Sequence, residues 1–274
     1  MKILFLAAYF IPERAASSYL SVNRNQAFAD AGFNMVVYTP IPTRGVSDEI
    51  RQEYKKRKLE KLFDDKMIVH RFALMREGSN SIKRAFRYVL NCIKLCCFGI
   101  FAKDARSCNI MFISSTPPIQ GAMAALIKKC RKIPFVYNLQ DIFPDSLVGT
   151  GMTKKGSFLW KIGRMIENFT YRNADKIIVI SEDFKKNIMA KGVPEEKIEV
   201  IYNWIDEKAV VPIARENNPL YEELGLNREK FNVVYAGNLG NAQNIDVIID
   251  SAKELVENKN IEFIRERNLY TFNE

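Results

Sequence analysis

Short apolar runs alternate with helix-length amphipathic segments along most of the chain. The runs at residues 3–8, 35–39, 67–72, 109–114, 135–138, 176–180 and 197–202 are four to six residues long and mostly apolar, as strands buried on both faces are. Between them lie predicted helices at 17–31, which stops at Gly32, at 47–63, 81–102, 119–131 and 157–172, and from Ser181 to Gly192. Strand–helix alternation predicts parallel pairing in a doubly wound α/β sheet covered on both faces. Ligands of such sheets sit at the carboxyl ends of the strands, so residues just after each strand are the candidate site.

The rhythm breaks at residues 203–220, which hold Pro212, Pro219 and the polar run 215–218. It resumes with a strand at 231–236, a turn at 237–243, a helix at 244–257 and a strand at 261–264. The expected organisation is an N-terminal domain over 1–205, a linker over 206–230 and a second α/β domain beginning at 231. Gly237, placed after a strand and before a helix, is the local build of a phosphate site.

Composition narrows the picture modestly. A hydrophobic content of 47% supports a sizeable core. The net charge of +9 suits a phosphorylated substrate, an anionic membrane or nucleic acid without choosing among them. Nucleic acid is set aside, because no binding motif accompanies the charge and acids interleave the basic helix at 47–63. The five cysteines lack a C-x-x-C pair and stand far from the single histidine, His70. That excludes a zinc signature and predicts reduced, mostly buried thiols. The apolar start at residues 1–10 is followed by IPER without a cleavage signal, and reads as a first strand. No G-x-G-x-x-G follows it, which argues against a nicotinamide dehydrogenase.

Five post-strand segments carry the chemistry: YFIPE (9–13), SSTPPIQG (114–121), NLQDIFPDS (138–146), the stretch from Ile180 to Asp206, and YAGNLGNAQNID (235–246). Glu13 places a carboxylate either at an acceptor hydroxyl or near a helix N-terminus. Asp141 and Asp145 flank Pro144 on one loop, where carboxylates bind sugar hydroxyls or stabilise a turn. Thr116 precedes Pro118, which suits a first helical position with Thr116 as its cap.

In order and spacing these segments resemble glycosyltransferase family 4, in particular its bacterial capsule and O-antigen branch. The resemblance implies a GT-B-type fold, with a complete N-terminal Rossmann-like domain for the acceptor and the first part of a second for the nucleotide sugar. It implies transfer of a sugar with retention to a polyprenyl-diphosphate-linked saccharide, on the inner face of the cytoplasmic membrane, with no metal or other cofactor. Carried onto this sequence, Glu13 and Asp141 are the catalytic candidates. Tyr9, Thr116 and Asp145 are the acceptor-binding candidates, and Gly237, Asn238, Gly240 and Gln243 the donor-diphosphate candidates. Much of the wider family has an arginine and a lysine where Asn238 and Gln243 stand, so the positive charge for the diphosphate is not identified. Helix 81–102, with Phe86, Val89, Leu90, Ile93, Cys97 and Ile100 at helical spacing and Lys83, Arg84, Arg87, Lys94 and Lys103 for charge, is expected to lie on an anionic membrane. The family continues with a glycine turn and an E-x7-E motif that residues 265–274 do not match, so the second domain is expected to be cut short. A non-catalytic membrane- and acceptor-binding remnant is the alternative.

Overall fold

A computed structural model describes residues 1–13, 18–77, 80–208, 210–237 and 243–266. The chain divides into two compact units, Met1–Ser146 with Lys154–Trp204, and Leu147–Thr153 with Ile205–Glu274.

In chain order the first unit holds β1 (Lys2–Leu6), α1 (Ser18–Asp30), β2 (Asn34–Pro40), α2 (Asp48–Lys56), β3 (Leu59–Leu62), β4 (Met67–Phe72), α3 (Ser81–Phe101) and α4 (Lys103–Arg106). It continues with β5 (Ile110–Ser114), α5 (Ile119–Arg131), β6 (Phe135–Leu139), the start of α6 (Asp145–Gly149), α7 (Phe158–Asn173), β7 (Lys176–Val179), α8 (Glu182–Ala190) and β8 (Ile198–Val200). The strands form one eight-stranded sheet in the order β3-β4-β2-β1-β5-β6-β7-β8. All pairs are parallel except β3 with β4.

Period-two alternation along the central strands feeds two cores. Leu4, Leu6, Val36, Tyr38, Met111 and Ile113 face Leu95 of α3 and Ala124 and Ile127 of α5. Ile3, Phe5, Met35, Val37, Met67 and Val69 face the other way, where Phe28 and Ala29 of α1 cover them. The chain thus leaves β1 over one face toward β2, and leaves β5 over the other face toward β6. The adjacent strands β1 and β5 mark the topological switch point, the place where sheets of this kind bind ligands at their carboxyl ends.

Three expectations need correction. The predicted helix at 47–63 ends at Lys56 and gives way to β3, an antiparallel edge strand. Charged pairs at helical spacing, such as Glu53 with Arg57, mask the alternation of Leu59 and Leu62 in the sequence. Phe63, Asp64 and Asp65 turn the chain back with positive φ. The thiols are not mostly buried: Cys92 and Cys108 are, Cys96 is half-buried, and Cys97 and Cys130 are exposed. On α3, Arg87 joins no outer charged face; it is fully buried, as is Asn91 one turn on. The outward stripe of that helix is Ile82, Phe86, Val89, Ile93 and Phe101.

The second unit contains α9 (Leu220–Glu223), β9 (Phe231–Ala236), α10 (Ile245–Glu254) and β10 (Ile261–Glu266). β9 and β10 pair in parallel, and α10 buries none of its residues.

Candidate functional site at the carboxyl edge of the first sheet

The loops after β1, β5 and β6 emerge from neighbouring strands, so their first residues lie within about 10 Å of one another. Tyr9, Glu13, Thr116, Asp141 and Asp145 therefore share one edge. Their environments separate them into groups held by the fold and groups left open.

Glu13 is buried. One carboxylate oxygen accepts the Thr43 and Arg44 N–H groups at 2.7 and 3.0 Å and the Thr43 hydroxyl at 3.4 Å; the other accepts the Phe10 N–H at 3.2 Å. The side chain ties the loop after β1 to the loop after β2, and both of its oxygens accept backbone N–H groups. Tyr9 is half-buried. Its hydroxyl lies 3.0 Å from both Glu77 and the Tyr88 hydroxyl, and the guanidinium carbons of Arg44 and Arg87 lie 5.4 and 5.6 Å from its ring centre. Burial first, then Tyr88 and the Glu77 charge, push the Tyr9 phenol well above its ordinary range, so it stays protonated.

At the β5 end, Thr116 is exposed and Pro118, not Thr116, occupies the cap position of α5, with no side-chain capping bond. The capping expectation for Thr116 fails because the chain enters the helix through Pro117 and Pro118. The tie at this point is Gln120, which is buried. With its amide turned to satisfy both ends, it donates to the Ser114 and Thr116 carbonyls at 3.1 Å and accepts the Ala8 N–H at 3.0 Å. Ser115, also buried, accepts the Gln140 N–H at 3.0 Å. Sequence reasoning missed Gln120 and Ser115. The available signal was a glutamine in the first turn of a helix that is otherwise apolar up to Lys128.

The β6 loop distinguishes its two carboxylates. Asp141 is exposed, and its one side-chain hydrogen bond among the described residues is a 3.3 Å contact from Ser146. Asp145 is engaged with Lys191 Nζ at 2.7 Å and Asn187 Nδ2 at 3.2 Å. Lys191 also reaches Glu167 at 2.8 Å, and Glu167 is paired in turn with Arg164. Burial alone would raise the Asp145 carboxyl, but the bonds from Lys191 and Asn187 and the Lys191 and Arg164 charges hold it below its ordinary value. A Cβ at Gly163 of α7 would stand 2.7 Å from Pro144 and 2.8 Å from Phe143, so only glycine lets α7 back the loop this closely. The loop is clamped on one side and leaves Asp141 free on the other.

In the second unit, Gly237 directly follows β9, and Gln243 is exposed just before α10. Asn244 caps that helix with a left-handed backbone and no side-chain bond. Asn238 and Gly240 lie outside the described residues.

Residues 25–209, more than half of the chain, match the sequence profile of Glycosyltransferase Family 4. The chain belongs to glycosyltransferase family 4. It is 28% identical over 185 residues to WbjE of Pseudomonas aeruginosa, named as a glycosyltransferase, covering 68% of this chain and 44% of that one. It is 26% identical over 133 residues to WcaI of Escherichia coli K12, named as a colanic acid biosynthesis glycosyl transferase, covering 47% and 33%. The chain thus spans less than half the length of these two curated relatives. The structure of HepE from Anabaena in complex with UDP and glucose superposes with a TM-score of 0.57 at 16% identity, covering 97% of this chain and 70% of that one. The family-4 chain thus has a GT-B-type, Rossmann-like α/β fold. No helix among the described residues is long and apolar enough to cross a membrane.

Proposed function

We propose that this family-4 chain carries the acceptor side of a retaining glycosyltransferase in cell-surface polysaccharide synthesis. Its acceptor is a saccharide on a polyprenyl diphosphate at the inner face of the cytoplasmic membrane, and its donor is a nucleotide sugar. The observation that carries the reading is Asp141, an unclamped carboxylate on a clamped loop beside the switch point. In this reading Asp141 orients the acceptor hydroxyl, while Tyr9, a protonated phenol, and the exposed Thr116 contact the acceptor. Glu13 positions rather than reacts, because its oxygens are taken by backbone N–H groups. Asp145 supports the acceptor loop through Lys191 without touching the acceptor.

The UDP and glucose bound to HepE support a nucleotide-sugar donor. The turn at Gly237, Asn238, Gly240 and Gln243 is the proposed place for its diphosphate. The outward Ile82, Phe86, Val89 and Ile93 of α3, with Lys83 and Arg84 beside them, support contact with an anionic bilayer. A second reading, a membrane- and acceptor-binding domain without transfer activity, is favoured by the same outward stripe of α3, which needs no donor site.

The test supplies the full chain with UDP-sugars and bacterial membranes that hold polyprenyl-linked saccharides. Extension of the lipid-linked saccharide by one sugar, reduced about 100-fold or more by Asp141→Asn, is the expected result. Absence of both transfer and nucleotide-sugar binding would leave the second reading.

A further inference from the structure

The first unit buries two guanidinium groups that form no direct ion pair among the described residues. Arg87 is fully buried on the inner face of α3, and Arg51 of α2 is 8% exposed. Among the described residues neither has a carboxylate within salt-bridge distance. Arg87 donates to the Met75 carbonyl at 3.0 Å and the Thr43 hydroxyl at 3.2 Å, and its third nitrogen has no partner. Arg51 donates to the carbonyls of Pro42 at 2.6 Å and of Ile41 and Leu74 at 3.4 Å. The nearby Arg71 and Arg76 are different, paired with Glu60 and Asp48. Buried, unpaired guanidinium groups are costly and persist where an anion compensates them. Glu13, the buried carboxylate of this region, binds backbone N–H groups and keeps its negative charge, which favours the Arg51 cation, so one buried carboxylate stands against two buried guanidinium groups.

Arg44 is exposed, in no ion pair among the described residues, and anchored by its own backbone N–H to Glu13. Its guanidinium lies over Tyr9, with Arg87 also against the Tyr9 ring. Four segments converge here: the ends of β1, β2 and β4 and the first half of α3.

We propose that Arg44, with Tyr9 beside it and the buried charges of Arg51 and Arg87 behind it, forms the subsite for a phosphate-class anion of the acceptor. Arg44 makes the contact, through a guanidinium fork suited to phosphate oxygens. Arg51 and Arg87 act through their field, which low-dielectric surroundings preserve. The inference rests on the reading of this edge as the acceptor side. The anion has two sources: the diphosphate of a lipid carrier, or the phosphate of a membrane lipid headgroup.

Titration calorimetry of the full chain separates them with inorganic pyrophosphate, farnesyl diphosphate, and vesicles with and without phosphatidylglycerol. The variants are Arg44→Ala and Arg44→Glu, with Lys186→Ala on the exposed face of α8 as the control. Saturable binding of pyrophosphate and farnesyl diphosphate, weakened about tenfold by Arg44→Ala and further by Arg44→Glu but not by Lys186→Ala, is expected for a carrier diphosphate. Binding to phosphatidylglycerol vesicles alone, with the same Arg44 dependence, assigns the subsite to a headgroup. Binding of every probe unchanged in both Arg44 variants, or no binding of any probe, overturns the proposal. Because these are binding readouts, a failure of sugar transfer leaves their outcome legible.

Discussion

Lys191 at the end of α8 stands 2.7 Å from Asp145, and the same ammonium reaches Glu167 of α7. One cation thereby fastens the loop after β6 to two helices, while Asp141 on that loop keeps an open carboxylate. Replacing Lys191 with Met should cost about 2 kcal/mol at pH 7, below the roughly 3–5 kcal/mol of a fully buried pair because Asp145 is partly exposed. The Asp145 carboxyl is depressed in the folded state, so its contribution is present above the unfolded value of about 3.9 and is lost as pH falls through the lower folded value. The stability gap between wild type and Lys191→Met, measured by urea unfolding, should therefore narrow below about pH 4. An unchanged gap at pH 3 would contradict the linkage.

Glu13 gives a second prediction. Removing its carboxylate leaves three buried or half-buried backbone N–H groups without partners, each worth about 1 kcal/mol or more. Glu13→Ala should lose about 2–4 kcal/mol and expose the amides of Phe10, Thr43 and Arg44 to hydrogen exchange. Glu13→Gln keeps one acceptor oxygen but turns an NH2 group toward donors, so it should fall in between. Loss of sugar transfer in Glu13→Gln with those amides still protected would mean that Glu13 reacts rather than positions.

The outward stripe of α3 gives the third. Phe86 is 60% exposed and Ile93 is 55% exposed, so neither holds the fold together. Phe86→Glu and Ile93→Glu should leave the unfolding midpoint within a few degrees of wild type. Each should weaken sedimentation with phosphatidylglycerol vesicles about tenfold or more, from the loss of one apolar side chain's burial. Vesicle affinity equal to wild type in both variants would mean that this stripe does not meet the bilayer.

Much of this was legible in the chain. Continuous apolar runs separated by amphipathic segments specify a parallel sheet covered on both faces, and the positions after strands fall on one edge. What the pattern hides is set by distant partners. Whether Asp141 or Asp145 is free depends on Lys191, 46 residues beyond Asp145 in the numbering. The role of Glu13 depends on backbone donors of Thr43 and Arg44, which no side-chain pattern announces. Helix α3 has apolar residues on both faces, so its periodicity does not reveal that Arg87 and Asn91 turn inward while Phe86 and Ile93 turn out. Strand β3 is short and charged, and its alternation is outweighed by helical charge pairs.

In the proposed function, the carboxyl edge around β1, β5 and β6 receives the acceptor. Hydrogen exchange of the full chain with and without a farnesyl-diphosphate-linked disaccharide tests it most directly. New protection is expected at residues 7–13, 115–116 and 140–146, reduced in Asp141→Asn. Protection confined to other parts of the first sheet, or none at saturating acceptor, would contradict it.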